Sequence, residues 1–249
     1  MLSKVTLGAG MVYDRARSLV SRTHVRQLRV AGERLLIRDF STSVIPRIVA
    51  HELASDAYGI ENIPFRPGDV VVDVGANVGI VSIYLAKRHP AITVHAFEPI
   101  PENFRHLREN IRANGVGNVI AHNLAVTQDG RPFEMTVHFA TNSGGATGYL
   151  RDLALEGHTR YTVASTTLVR IFADHVPARC RLLKIDCEGA EHEILWGAAC
   201  LDRVDYLAAE FHINEHLRAA GYDTTRLLDY CEQRIGRGRV TASLIRMAE

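Results

Sequence analysis

Apolar positions along this chain follow one rhythm before Pro64, Pro67 and Gly68 and another after them. Ahead of that break the signal is mixed. Leu28–Ile37 alternates loosely about Ala31-Gly32-Glu33, as a hairpin does. Ile45, Ile48, Val49, Leu53 and Tyr58 share one face of a helix predicted over Ile45–Tyr58. Beyond the break, short β-branched runs alternate with helical stretches. Val70–Val74 has the uniformly apolar character of a strand covered on both faces, and Val78–Arg88 follows as a helix. Thr93–Phe97 is a second strand, and Pro101–Asn114 a second helix, with proline at its start and Gly115 past its end. Val119–Leu124, Phe133–Phe139, Arg160–Ala164, Arg181–Ile185 and Tyr206–Phe211 read as further strands. Leu168–His175, Ala190–Trp196 and Glu215–Gln233 read as further helices. Asn142-Ser143-Gly144-Gly145 reads as a glycine-rich loop, and the Gly236-Arg237-Gly238 turn as the bend of a closing hairpin into Val240–Met247.

Strands alternating with helices predict an α/β fold, a Rossmann-like, doubly wound and mostly parallel sheet whose ligands bind at the carboxyl ends of the strands. Composition narrows the partners. Lys and Arg total 29 against 28 Asp and Glu, so no global field favours nucleic acid or an anionic membrane. Arg15, Arg17, Arg22, Arg26 and Arg29 make one local basic cluster near the N-terminus. The apolar opening Met1–Val12 is too short to span a bilayer and reads as a frayed or docked helix, so no stable membrane insertion is expected. Cys180, Cys187, Cys200 and Cys231 form no Cys-x-x-Cys pair, which suits the reduced thiols of a cytoplasmic protein.

The most informative stretch is Asp73-Val74-Gly75-Ala76-Asn77-Val78-Gly79, joining the first strong strand to its helix. Glycine and asparagine tolerate the positive φ of such a turn, and glycine lets a ligand lie against the backbone. The dinucleotide fingerprint Gly-x-Gly-x-x-Gly, which brings N–H groups to a pyrophosphate, is not met: Asn77 stands at its middle glycine and Ile80 at its last. A phosphate-free ligand does not need it, and S-adenosylmethionine is one. Asp73 is placed to engage the ammonium of such a ligand directly or through water, and Glu98, ending the second strand in Ala96-Phe97-Glu98-Pro99, to accept its ribose hydroxyls.

Four motifs resemble the FkbM family of methyltransferases: Val72-Asp73-Val74-Gly75-Ala76-Asn77-Val78-Gly79, Phe97-Glu98-Pro99, Asn123-Leu124-Ala125 and Leu183-Lys184-Ile185-Asp186-Cys187-Glu188-Gly189-Ala190-Glu191. The likeness runs from about Phe65 to Gly236, and the last motif is the specific one. Cys187 stands where members of that family commonly carry Val or Ile. The resemblance implies a class I methyltransferase fold and methyl transfer from S-adenosylmethionine to a hydroxyl of a sugar, polyketide or other specialised metabolite. The cofactor set is then Asp73, Gly75, Asn77, Gly79, Glu98 and Asp186, with Asn123 or Ala125 near the adenine. Residues 65–249 make the catalytic domain, and residues 1–64 an N-terminal extension placed to cover the acceptor. A homo-oligomer is compatible with all of this.

Methyl transfer from a sulfonium is an in-line displacement, which positioning favours, and an aliphatic hydroxyl needs help in losing its proton. Asp186, Glu210 and His212 stand at the ends of the later strands, with Glu210 and His212 on one side of theirs. His212 is the expected general base, because imidazole titrates near neutral pH. The same three residues, Asp186, Glu210 and His212, form an alternative oxygen and imidazole set for Mg²⁺ or another divalent cation. Glu188 and Glu191 either stabilise the start of a helix or belong to the site; Asn142–Gly148 is a flap over the acceptor or a plain loop. His95, His106, His122 and His138 show no ligand spacing and read as structural or exposed, and Trp196 reads as core. Two rivals share much of the pattern. A nicotinamide-dependent oxidoreductase lacks here its middle glycine and an evident Tyr-x-x-x-Lys pair, and a non-catalytic module has no need of the late acidic group. Nitrogen and carboxylate acceptors stay open.

Overall fold

The computed structural model describes residues 23–138, 142–147 and 159–247. Its centre is a six-stranded sheet in the order β13-β12-β11-β3-β4-β5. These strands are β3 (Val70–Val74), β4 (Thr93–Phe97), β5 (Val119–His122), β11 (Cys180–Ile185), β12 (Val204–Ile213) and β13 (Val240–Arg246). Every neighbouring pair is parallel. All five residues of β3 are buried, as crossover helices on both faces require of a central strand. The chain steps outward from β3 through β4 to β5, then returns to lay β11 on the other side of β3. The order reverses between β3 and β11, which opens a crevice at their carboxyl ends.

Helices α2 (Ile80–Arg88) and α3 (Pro101–Ala113) cover one face, where Val71, Val94, Ile83 and Leu107 share a core. On the other face α4 (Leu168–His175), α5 (Glu191–Leu195) and α7 (Thr224–Ile235) bury Val72, Leu183, Phe172, Phe211 and Leu227. The predicted N-terminal hairpin is present as β1 (Thr23–Val30) and β2 (Glu33–Phe40), followed by α1 (Ile45–Ala54). Leu35, Ile37 and Leu53 join the first core directly. Asn110 of α3 and Asn114, which caps its end, act as an edge for β2. Asn110 Oδ1 accepts from Arg38 N at 2.7 Å, Asn114 Oδ1 accepts from Leu36 N at 2.9 Å, and both amides donate back to carbonyls of the same two residues. A short parallel bridge pairs β6 (Ala125–Val126) with β10 (Ser165–Thr166). An antiparallel sheet of β7 (Phe133–His138), β8 (Asn142–Thr147) and β9 (Thr159–Val163) packs Met135, Val137 and Val163 against Ile100 and Ala125.

Several expectations need correction. The first helix stops at Ala54 rather than reaching Tyr58, because the chain turns through Asp56 at φ 53° and Gly59 at φ 64°. Glu215–Gln233 is two helices, α6 (Glu215–Ala219) and α7, split at Gly221 with φ 88° and restarted by Asp223, whose carboxylate accepts from Arg226 N. The sheet is fully parallel: β13 lies parallel to β12, so the Gly236-Arg237-Gly238 turn joins a helix to a strand and no closing hairpin forms. The Asn142-Ser143-Gly144-Gly145 loop is part of β8; Phe139 and Gly148 lie outside the described residues, as do Met1–Val12, Arg15, Arg17 and Arg22. Trp196 is 43% exposed, stacked on Tyr230 with Arg226 over its ring, so it is a surface residue. Among the described residues all four cysteines are free, and no helix is long and apolar enough to cross a membrane.

Candidate active site

The crevice at the switch between β3 and β11 is a cavity lined by Gly75, Asn77, Glu98, Ala125, Asp186 and Glu210. All six were expected at the site from the sequence. Its apolar wall comes from Phe97, Ile100, Leu124, Val126 and Met135, and a further wall from Ile45, Val49, Glu52 and Tyr58 of the N-terminal segment.

The turn after β3 depends on close backbone packing. Gly75 (φ 77°), Asn77 (φ 50°) and Gly79 (φ 89°) all take left-handed conformations. Gly75 N and Ala76 N both donate to the Phe97 carbonyl, at 3.0 and 2.9 Å, tying the turn to the end of β4. Gly79 does not line the cavity. It starts α2, where a β-carbon would stand 2.3 Å from Leu107 Cδ1, so its task is close helix packing.

Asp73 likewise stands back from the cavity. It is fully buried beneath the turn and absent from the cavity wall. Ser82 Oγ donates to its Oδ2 at 2.5 Å, and Lys184 Nζ stands 3.4 Å from its Oδ1. Lys184 sits directly across from Asp73 in the β11–β3 register and also donates to Gly75 O at 3.1 Å. Burial works against the lysine charge, but Asp73 and Asp186 outweigh it and raise the Lys184 pKa. The pair is a buried ion pair that holds the turn from below. Sequence reasoning missed Lys184, although a lysine inside the apolar strand Cys180–Ile185 was the available signal.

Glu98 is 3% exposed. Its Oε2 accepts from Asn77 N at 2.8 Å and its Oε1 from Ile100 N at 2.9 Å. Burial raises its pKa to about 7 against the pull of those N–H donors. Asn123 does not line the cavity: its amide donates to the carbonyls of Glu98 and Pro99, fixing the loop that carries Glu98.

On the far side of Gly75, Asp186 and Glu210 face the cavity together with Glu188. Burial, then the charges of Asp186 and Glu52, raise the Glu210 pKa to about 7. His212 is 5% exposed and lies outside the cavity wall. Its Nδ1 is 3.2 Å from Glu191 Oε1, and its Nε2 is 3.8 Å from Glu188 and 3.9 Å from Glu210. Burial opposes its charge, yet the Glu191 hydrogen bond and the charges of Glu191, Asp186 and Glu188 carry its pKa up to about 9. A histidine held protonated in this way accepts a proton less readily than the neutral imidazole expected of His212. One ligand atom each from Asp186, Glu210 and His212 lies within 4.8 Å of the others, so the three do converge.

Glu191 is fully buried and organises this side. Its Oε1 accepts from Cys187 N at 2.6 Å and its Oε2 from Gly189 N at 3.0 Å, locking a loop in which Glu188 is at φ 53° and Gly189 at φ 110°. Glu52 and Tyr58, joined by a 2.8 Å hydrogen bond from the phenol, were not anticipated at the site either. Burial and the charges of Glu52, Asp186 and Glu210 raise the Tyr58 pKa, so it stays a neutral donor.

The cavity therefore offers the carboxylates of Glu98, Asp186 and Glu210, an apolar wall, and a buried lysine beneath the turn in place of a phosphate cradle. A family model described as "Methyltransferase FkbM domain" matches residues 73–230. The chain is 34% identical over 183 residues to "31-O-demethyl-FK506 methyltransferase FkbM" of Streptomyces tacrolimicus, covering 62% of this chain and 68% of that one. It is 28% identical over 150 residues to "Methyltransferase 1" of Beauveria bassiana, covering 54% and 60%. Against "Methyltransferase sdnD" of Sordaria araneosa it is 26% identical over 179 residues, covering 61% and 68%. The matched stretch thus spans roughly two thirds of the length of these curated relatives.

Proposed function

The chain belongs to the FkbM methyltransferase family, and from that premise we propose that it transfers a methyl group from S-adenosylmethionine to a hydroxyl of a small metabolite such as a sugar or polyketide. The observation that carries the reading is the pairing of Glu98, tethered on both oxygens at the end of β4, with Asp186 and Glu210 across Gly75. The donor set fits the cofactor. Glu98 has lone pairs left for the ribose hydroxyls, Ile100 and Ala125 border a flat apolar slot for the adenine, and the Asp186–Glu210 end suits a sulfonium cation. The sulfonium, when bound, supplies the electrophilic methyl. The acceptor hydroxyl is held near Asp186 and Glu210, with the α1 wall limiting its shape. Glu210, a half-buried carboxylate that faces the cavity, takes the proton. His212 keeps its own and balances the acidic charge behind Glu210. The relative whose printed name describes an O-demethyl substrate favours a hydroxyl acceptor over nitrogen or carboxylate.

A second reading rests on the convergence of Asp186, Glu210 and His212 within 4.8 Å. The three would hold Mg²⁺ or a similar cation, which would acidify the acceptor hydroxyl. Activity that survives exhaustive chelation leaves the first reading standing; activity lost to chelator and restored by Mg²⁺ selects the second.

The decisive experiment is titration calorimetry with S-adenosylhomocysteine, followed by transfer of labelled methyl to a panel of hydroxylated, amine and carboxylate acceptors. Binding in the micromolar range and label on oxygen are expected. Binding of NADH with no response to S-adenosylhomocysteine would point to a nicotinamide enzyme, and silence toward both to a non-catalytic module.

A further inference from the structure

Three histidines far apart in sequence meet on the α4 face of the sheet, outside the cavity wall and behind Phe97. His95 is on β4, His122 ends β5, the sheet's outermost strand on that side, and His175 is the last residue of α4. His95 Nδ1 lies 3.1 Å from His122 Nε2. The ring centroids are 5.4 Å apart for His95 and His122, 4.6 Å for His95 and His175, and 4.9 Å for His122 and His175. The centroids form a triangle, with the His95 ring inclined 21° to His122 and 20° to His175. One nitrogen from each lies within 4.8 Å of the other two.

We propose that His95, His122 and His175 bind a divalent transition-metal ion of the zinc class. Zinc holds imidazole nitrogen at ~2.0–2.1 Å, which puts two tetrahedral ligand nitrogens roughly 3.3 Å apart. The His95–His122 spacing already matches, and a small rotation of His175, at a helix end, brings in the third. Three imidazoles without a carboxylate among them select zinc, cobalt, nickel or copper over magnesium or calcium. His122 and His175 are half-buried, which leaves an entry path and room for water as a fourth ligand. The carboxyl end of α4 directs its negative dipole end at the same spot. The ion would tie the end of α4 to the paired strands β4 and β5. Phe97, stacked on His122 at 4.4 Å, separates the group from the cavity that Phe97 also lines.

The test is a titration of chelator-treated full-length protein with Co²⁺, followed by displacement with Zn²⁺. One equivalent of Co²⁺ should bind with the intense visible absorption of a tetrahedral site, and Zn²⁺ should abolish it. His122→Ala and His175→Ala should each weaken binding at least tenfold, with unchanged far-ultraviolet circular dichroism. If His122→Ala unfolds, His175→Ala at the half-buried helix end decides. Glu210→Gln should leave the signal intact, since it disrupts only the acidic group in the cavity. The inference fails if the native protein binds neither ion, which leaves a hydrogen-bonded imidazole pair only. It fails equally if Co²⁺ binding survives His175→Ala, or follows Glu210→Gln instead.

Discussion

A β-carbon on Gly75 would stand 1.8 Å from the carbonyl oxygen of Asp186, so the turn after β3 and the loop after β11 meet backbone to backbone. Gly75→Ala must push them apart and must also hold alanine at φ 77°. The strain alone is on the order of 1–3 kcal/mol. The expected result is a clear fall in melting temperature and at least a tenfold loss of affinity for S-adenosylhomocysteine. Gly79→Ala is the contrast: it holds alanine at φ 89° too, but it meets side-chain tips of Leu107 and Ile83 and no backbone. It should cost stability with much less effect on the ligand. Native-like affinity in Gly75→Ala would show that the two loops are not coupled as described.

Glu98→Ala removes the acceptor of two backbone N–H groups as well as the ribose contact. Leaving those donors unmet costs roughly 1–3 kcal/mol of stability. Ligand affinity should fall about 10- to 100-fold, or roughly 1.4–2.7 kcal/mol, in calorimetry. Loss of stability with full affinity would relegate Glu98 to holding the turn.

Lys184 and Asp73 form a pair whose separate halves are dangerous. Removing one member of a buried ion pair typically costs about 3–5 kcal/mol, because its partner stays charged and unmatched. Lys184→Met and Asp73→Asn should each lower urea-unfolding stability on that order. The double variant should recover part of the loss, giving a coupling well above 1 kcal/mol. Strict additivity would mean the two side chains do not sense each other.

The same pair shows what the sequence could and could not disclose. Val70–Val74, Thr93–Phe97 and Leu168–His175 were legible because periodicity is local, and all three were found with their predicted bounds. Glu98, Gly75 and Asp186 were legible because strand ends in this fold converge. The Lys184 partner of Asp73 was not legible, because alternation says that its side chain leaves the strand, not whether a ligand or a lysine meets it. That depended on the register of β11, a neighbour more than a hundred residues away in the chain. The cavity wall from Tyr58 and Glu52 and the meeting of His95 with His122 and His175 are likewise products of long-range packing. His212 sits at the right strand end, but the charge of four surrounding carboxylates, not its intrinsic pKa, sets its protonation.

Glu210→Gln keeps the shape of the proposed base and removes its function. Turnover should fall about 10²- to 10⁴-fold with affinity for S-adenosylhomocysteine within a factor of a few. His212→Gln should lower turnover less, since it strips the positive charge behind Glu210 without touching the cavity wall. The reverse ranking, with His212→Gln the more damaging, would return the histidine to the role of base.

Acid should weaken the fold through His106. The ring is fully buried, edge-on to Phe40, and its Nδ1 has no hydrogen-bond partner among the described residues. Burial, with Arg105 adding to it, lowers its pKa from 6.5 to about 4. The unfolded chain therefore binds this proton more readily than the folded one across that interval. Stability is fully held above pH 6.5 and is lost as pH falls toward 4, by up to roughly 1.4 kcal/mol per pH unit. His106→Gln cannot titrate there, so its unfolding free energy should decline less between neutral pH and pH ~5 than that of the native chain. Urea melts of both proteins through that range measure the difference directly, with every other titrating group cancelling. Parallel declines would mean that His106 reaches solvent or finds a partner when protonated.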